Sequence, residues 1–275
     1  MDGHSILSLG GLLLVLLVTG AFTGVIAGLL GVGGGIVVVP VLVIVVGLFA
    51  LPEDIDMLMI VGTSLATIVP TSIASSRAHH RKGSVDVALL KGWLPAIVCG
   101  ALIGGFASKI FGANGLALIF GVVGLLVAAN LLKRKTIVLR TSPPESILAR
   151  SAIGFPIGFL SSLMGIGGGT LSVPTLTMLS VPVHRAVGTA AVFGLGIAIP
   201  ALIGFVWSGL GVPGRPVGSL GFVNLPTAIA IASVSIFTAP IGARLAHRLE
   251  PRVLKIAFAV FLSISSVNLL LDVFS

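Results

Sequence analysis

The chain has 275 residues, of which 56% are apolar and 9% charged, with a mean hydropathy of +1.21 and a formal net charge of +8. A water-soluble domain carries roughly 25% charged residues, so these values exclude a soluble globular protein and point to an integral membrane protein. The positive charge lies in short loops between apolar blocks, which reads as ordinary cytoplasmic loop charge rather than as a nucleic-acid surface.

The chain opens on Met1-Asp2-Gly3-His4-Ser5, which has no Lys or Arg. A secretory signal has a basic start, so the apolar residues 6–30 read as a retained membrane segment. Within it, Gly24-x-x-x-Gly28 suits close helix packing. There follows Gly31-Val32-Gly33-Gly34-Gly35, then a second apolar block over 36–50 that contains Pro40. An acidic loop (Glu53, Asp54, Asp56) leads to the third block, 57–76, with Gly62-Thr63-Ser64 and Thr67. Arg77, His79, His80, Arg81 and Lys82 then read as a solvated basic loop. Blocks at 87–107 and 115–132 form a hairpin whose turn holds Lys109; Asp86 lies at its start and Asn130 near its end. Cys99 sits among Ala, Val and Gly, so packing is its expected role. As the only cysteine it excludes an intrachain disulfide and a Cys-Cys metal site.

Residues 133–150 form a hydrophilic linker expected to be cytoplasmic, dividing a first repeat (1–132) from a second (151–275). The second half gives blocks at 151–164, 170–181, 187–207, 222–245 and 253–274. Between its first two blocks stands Gly165-Ile166-Gly167-Gly168-Gly169, with Pro174 five residues beyond. Both copies read Gly-x-Gly-Gly-Gly-x4-Pro-x-Leu at an offset of 134 residues. Gly62-Thr63 matches Gly188-Thr189 at an offset of 126, and Gly83-x-Val85-Asp86 matches Gly221-x-Val223-Asn224 at 138. The same 138 pairs Asn130-Leu131-Leu132 with Asn268-Leu269-Leu270. Chance does not hold one offset over separated sites, so the chain is an internal duplication.

Lys and Arg mark cytoplasmic loops. One arrangement puts 14 of the 16 basic residues inside and leaves Lys109 and Arg215 outside. Equivalent loops of the two halves then face opposite sides, which is an inverted-topology repeat with both termini outside. The expected fold is an all-α polytopic membrane protein of 8–10 membrane segments, each repeat holding a glycine-rich broken or re-entrant helical hairpin. Residues 151–164 and 170–181 are too short as helices, at about 1.5 Å per residue, to cross the ~30 Å hydrocarbon core.

Duplicated Gly/Pro breaks in apolar segments point to a transporter's binding site. Glycine permits a tight turn with φ > 0. The short helix that follows, beginning near Ile36 or Thr170, offers N–H groups without intrahelical acceptors and the positive end of its dipole. Pro40 and Pro174 are expected about one turn in, where a missing N–H costs least. The result is a backbone cradle for an anion, formed by Gly31, Gly33, Gly34 and Gly35 and by Gly165, Gly167, Gly168 and Gly169. The polar side chains near this level are hydroxyls: Thr63, Ser64, Thr67, Ser161, Ser162, Thr170, Ser172 and Thr189. Of these Thr63, Ser64, Thr170 and Thr189 are the expected substrate donors. Pro40, Pro174, Asn130 and Asn268 are assigned structural or gating roles. No Ser/His/Asp set, paired intramembrane carboxylates or His-Glu-x-x-His is present, so no catalytic residue, metal or cofactor is expected.

The chain resembles the TauE/SafE sulfite exporter family, the toluene sulfonate uptake permease group. The likeness rests on Gly24-x3-Gly28-x2-Gly31-x-Gly33-Gly34-Gly35-x4-Pro40, Gly62-Thr63-Ser64, His80-x2-Gly83-x-Val85-Asp86 and their second-half echoes. The resemblance implies transport of a small sulfur-containing anion such as sulfite, thiosulfate or an organosulfonate. The residues alone support a small anion. Ala190 stands where the first half has Ser64, so the two half-sites are chemically unequal. The leading expectation is export by alternating access between the inverted halves, in the inner membrane of a bacterium or archaeon. The alternatives are an anion channel using the same pocket and a membrane assembly protein that transports nothing. The expected partners are the anion and the lipid bilayer, with self-association left open and no nucleic acid.

Overall fold

The computed structural model describes residues 3–31, 33–48, 57–132, 138–245 and 251–274. The acidic residues Glu53, Asp54 and Asp56, the basic residues Lys133, Arg134, Lys135, His247 and Arg248, and Val32 lie outside them. In lipid every backbone polar group needs a partner from the protein, so long apolar runs become helices. Among the described residues there are nine: α1 (Gly3–Leu30), α2 (Gly35–Leu48), α3 (Met57–Arg81), α4 (Val87–Leu132), α5 (Ile147–Leu163), α6 (Gly169–Met178), α7 (Val183–Gly209), α8 (Leu225–Leu245) and α9 (Pro251–Phe274). Five of them are long and apolar enough to cross a membrane. A two-residue strand β1 (Ser219–Leu220) pairs antiparallel with β2 (Val223–Asn224) just before α8. That small hairpin occupies the start of the block expected from residue 222.

The outer surface is apolar, and hydroxyls are buried inside among apolar side chains. Leu14, Phe22, Leu126, Ile203, Trp207 and Phe237 are exposed, whereas the hydroxyls of Thr71, Ser72, Ser161, Thr189 and Ser235 are sealed within. Lipid supplies no hydrophobic drive between helices, so small residues and interhelical hydrogen bonds hold them together. Thr71 and Ser235 hydroxyls, from α3 and α8, lie 2.6 Å apart. Glycines bring backbones together where α1 packs on α8 and where α5 packs on the first arm of α4. Gly24 of α1 abuts the carbonyl of Ser235, and Gly158 of α5 abuts that of Ile97. Gly20 meets Ile231 as Gly154 meets Trp93, and Gly242 meets Val25 as Gly104 meets Phe159. Each contact maps onto its partner at the offsets of 134 and 138 read from the sequence.

Several expectations are corrected. Blocks four and five are two helical arms of α4, as expected, but they part at Gly112, whose backbone (φ 64°, ψ −177°) no helix accepts, so Lys109 lies in the first arm and not in the turn. Its arms, 87–111 and 113–132, reach about 37 and 30 Å at ~1.5 Å per residue. The linker shortens because the Ser146 hydroxyl accepts from the Ala149 N–H and starts α5 at Ile147. Cys99 faces outward instead of packing inside. His79 is not solvated: it is buried in the last turn of α3, with Nε2 2.9 Å from the Gly28 carbonyl oxygen. Beside it the Lys82 ammonium donates to the Ala243 carbonyl at 3.0 Å.

Candidate functional site

The two glycine turns are built differently. In the second, Gly165 (φ 63°) takes the left-handed position after α5. The Ile166 N–H donates to the Ser161 carbonyl at 3.0 Å and the Gly165 N–H to the Ser162 carbonyl at 3.3 Å. This pair is a Schellman closure, which satisfies the last carbonyls of α5. The chain then enters α6 through Gly168, in ordinary helical geometry (φ −59°, ψ −27°) and without a side-chain cap. In the first turn Gly31, Gly33 and Gly34 all have positive φ, at 65°, 71° and 87°. There the expected need for glycine is conformational. At Gly168 it is one of space: a Cβ would lie 2.6 Å from both the Ala190 oxygen and the Gly194 nitrogen.

Both short helices start one residue earlier than expected, at Gly35 and Gly169, so Pro40 and Pro174 are each the sixth residue of their helix. That corrects the expectation of a harmless place in the first turn. Only the first four N–H groups are orphans, so each proline removes a bond the helix would otherwise make, to Ile36 and Thr170 respectively. At ~1.5 Å per residue α6 is about 15 Å long and α2 about 21 Å, short helices that begin at buried glycines.

The turns meet. A Cβ on Gly33 would lie 3.3 Å from the Gly167 Cα, so the two glycine runs touch across the centre of the molecule. Gly35 abuts the Gly165 carbonyl, and that carbonyl accepts from the Ser64 hydroxyl at 2.8 Å. Gly31 abuts Val187 as Gly165 abuts Val61, again partners at the repeat offsets. Around the turns five buried hydroxyls have no hydrogen-bond partner among the described residues: Thr23, Ser72, Ser161, Thr170 and Ser172. No Lys, Arg, Asp or Glu is buried among the described residues. The arrangement offers backbone N–H groups, two helix starts and unpaired hydroxyls, all neutral. Such a site can hold an anion and release it, as passage requires.

The expected site residues separate into three groups. Gly31, Gly33, Gly34, Gly35, Gly165, Gly167, Gly168, Gly169, Ser64 and Thr170 gather at the turns. Thr63 and Thr189 are tied elsewhere. The Thr63 hydroxyl accepts from the Asn224 N–H at 2.9 Å, and the Thr189 hydroxyl accepts from the Asp86 N–H at 2.9 Å. These are the same bond made twice, each half lending a threonine to the other. Beside them Gly62 abuts the Phe222 carbonyl and Gly188 that of Ser84. Asn130 is half-buried on α4 and Asn268 exposed on α9, and neither makes a hydrogen bond among the described residues. Asp86 caps α4 through the N–H groups of Ala88 and Leu89, and Asn224 caps α8 through that of Thr227.

Sequence reasoning missed Thr23 and Ser72. For Ser72 a signal existed: Ser64, Ile68 and Ser72 are spaced by four, so they share one face of α3. Ser64 was already recognised, and Ile68 packs against both Gly33 and Gly35.

A family model described as "Sulfite exporter TauE/SafE" matches residues 16–269. A probable membrane transporter protein of Haemophilus influenzae is 34% identical over 264 residues, spanning 94% of this chain and 98% of its own length. The probable membrane transporter protein YunE of Bacillus subtilis is 27% identical, over 94% of this chain and 97% of its own. A probable membrane transporter protein of Methanocaldococcus jannaschii is also 27% identical, over 94% and 96%. No solved structure matches the chain significantly.

Proposed function

We propose that this membrane transporter, which belongs to the sulfite exporter TauE/SafE family, carries a small sulfur-containing oxyanion through the meeting point of its two glycine turns. One observation carries this reading: Gly33 and Gly167 touch at the starts of two half-length helices, among buried hydroxyls that have no partner among the described residues. Sulfur enters from the family alone; the chemistry of the site asks only for a small anion.

The route is alternating access between inverted halves. The doubled Thr63–Asn224 and Thr189–Asp86 bonds and the paired glycine contacts support it, since one structural relation generates all of them. The split of basic residues supports the orientation, with both termini outside and 133–150 in the cytoplasm. Export is the favoured direction. One charge across 100 mV is worth about 2.3 kcal/mol, so a dianion leaving a negative interior gains about twice that.

Flux into proteoliposomes tests the proposal with sulfite, thiosulfate, sulfate and an organosulfonate. Saturable flux of at least one, with counterflow, is expected. Flux that rises linearly without counterflow makes the protein a channel, and no flux of any of the four removes the anion reading.

A further inference from the structure

We propose that the Ser72 hydroxyl is the side-chain donor that selects which anion is held between the glycine turns; the proposal rests on the transport reading above. Ser72 is fully buried in α3, and its Oγ has no partner among the described residues. A Cβ on Gly33 would lie 2.9 Å from that oxygen, and a Cβ on Gly194 2.6 Å from it. The same point on Gly194 is 3.6 Å from the Gly168 nitrogen, at the N-terminus of α6. The hydroxyl therefore looks onto both turns at once, where the unpaired N–H groups and the dipole of a ten-residue helix favour negative charge. A hydroxyl buried without a partner is costly. A ligand with an oxygen to accept its proton removes that cost.

The repeat shows why this side chain discriminates. At the offset of 126, the counterpart of Ser72 is Ala198, buried and apolar. Thr23 likewise faces Ile157 across the repeat, and Thr170 faces Ile36. The duplicated backbone supplies N–H groups from both halves, whereas each unpaired hydroxyl comes from one half only. A backbone cradle accepts any small anion. A fixed hydroxyl on one side favours an anion that presents an oxygen there, and a site built to make a hydrogen bond rejects an analogue that cannot make it.

The test compares Ser72→Ala with the parent protein in proteoliposomes. KM and maximal rate are measured separately for sulfite, thiosulfate, sulfate and an organosulfonate, and thermal unfolding is followed without and with each anion. Ser72→Ala is expected to raise the KM of the preferred anion roughly 13- to 160-fold, the loss of one hydrogen bond to a charged acceptor. It should also flatten the preference among the four and shrink the stabilisation each anion gives. Unliganded unfolding should stay where it was or rise, because an orphaned buried group is gone. Ser72→Cys, which keeps the volume and donates weakly, should reproduce the KM change and guards against misfolding of the alanine variant. Parent-like KM and preference in both variants overturn the assignment of Ser72 while leaving the transport reading standing. A fall in unliganded stability with KM unchanged also overturns it, making Ser72 a packing residue. If the parent shows no saturable anion flux, both readings fall together.

Discussion

Replacing Thr189 with Val keeps the shape of the side chain and removes one oxygen. The sequence suggests a donor to the anion, and hence a loss of affinity. In the structure that oxygen accepts the Asp86 N–H at 2.9 Å, joining α7 to the start of α4. The variant leaves the N–H without its acceptor, a loss of about 1–3 kcal/mol when the donor is buried. Asp86 is half-buried rather than sealed, so the lower part applies, about 1–2 kcal/mol. At about 2–4 °C per kcal/mol for a chain of this size, thermal unfolding should fall by about 2–8 °C. Thr63→Val breaks the equivalent bond to Asn224 and should cost less. Asp86 carries more with it, since its carboxylate accepts from Ala88 and Leu89 and lies 3.6 Å from Arg185. The assay is size-exclusion chromatography of detergent-solubilised protein after heating, paired with KM in proteoliposomes. A raised KM with unchanged thermal stability in either variant refutes this reasoning and returns the threonine hydroxyls to the anion.

Gly34→Val and Gly168→Val should both insert into the membrane and lose flux, checked by membrane yield and transport: Gly34 has φ 87° and Gly168 lies against the α7 backbone at Ala190 and Gly194. Asp86→Asn should be nearly silent in thermal unfolding, within ~1 kcal/mol. An amide oxygen can still cap α4, as Asn224 caps α8, and the lost partner, Arg185, is 63% exposed. In a Cys99→Ala background, cysteines at Ala78 and Thr136 should label only from the cytoplasm and tags at both termini only from outside; the reverse pattern inverts the topology.

What could be read from the sequence was what the backbone demands. Glycines at close approaches and the paired threonines declare themselves as repeated letters, because a Cβ or a lost hydroxyl is felt in both copies. Which face of a helix points inward was much harder. Along α4 the residues around Cys99 are uniformly apolar, so no polar stripe sets the phase, and Cys99 faces out. His79 shows the other limit. Its loop neighbours are basic, and the group that buries it is a carbonyl 51 residues away in α1. Pro40 and Pro174 read as harmless, yet even a start at Ile36 or Thr170 makes each the fifth residue, already past the four orphaned N–H groups, and the structure makes each the sixth. The role of Thr63 and Thr189 was hidden for a physical reason: a hydroxyl both donates and accepts, and only the partner from the other half decides between them.

The two copies differ in the unpaired hydroxyls around the turns and agree in the glycines that touch. Gly20, Gly24 and Gly31 recur as Gly154, Gly158 and Gly165, each against backbone or a side chain of the facing helix. A change at one of them forces two packed elements apart. The unpaired hydroxyls carry no such constraint. Thr23, Ser72 and Thr170 have Ile157, Ala198 and Ile36 as counterparts, and their hydroxyls make no hydrogen bond among the described residues. Their side chains can be exchanged without disturbing the contacts that bring the turns together. On the proposed reading, choice of anion and assembly of the site would fall on different residues. Substitutions at the hydroxyls should change which anion is carried while the protein still folds, and substitutions at the touching glycines should lower transport of every anion alike.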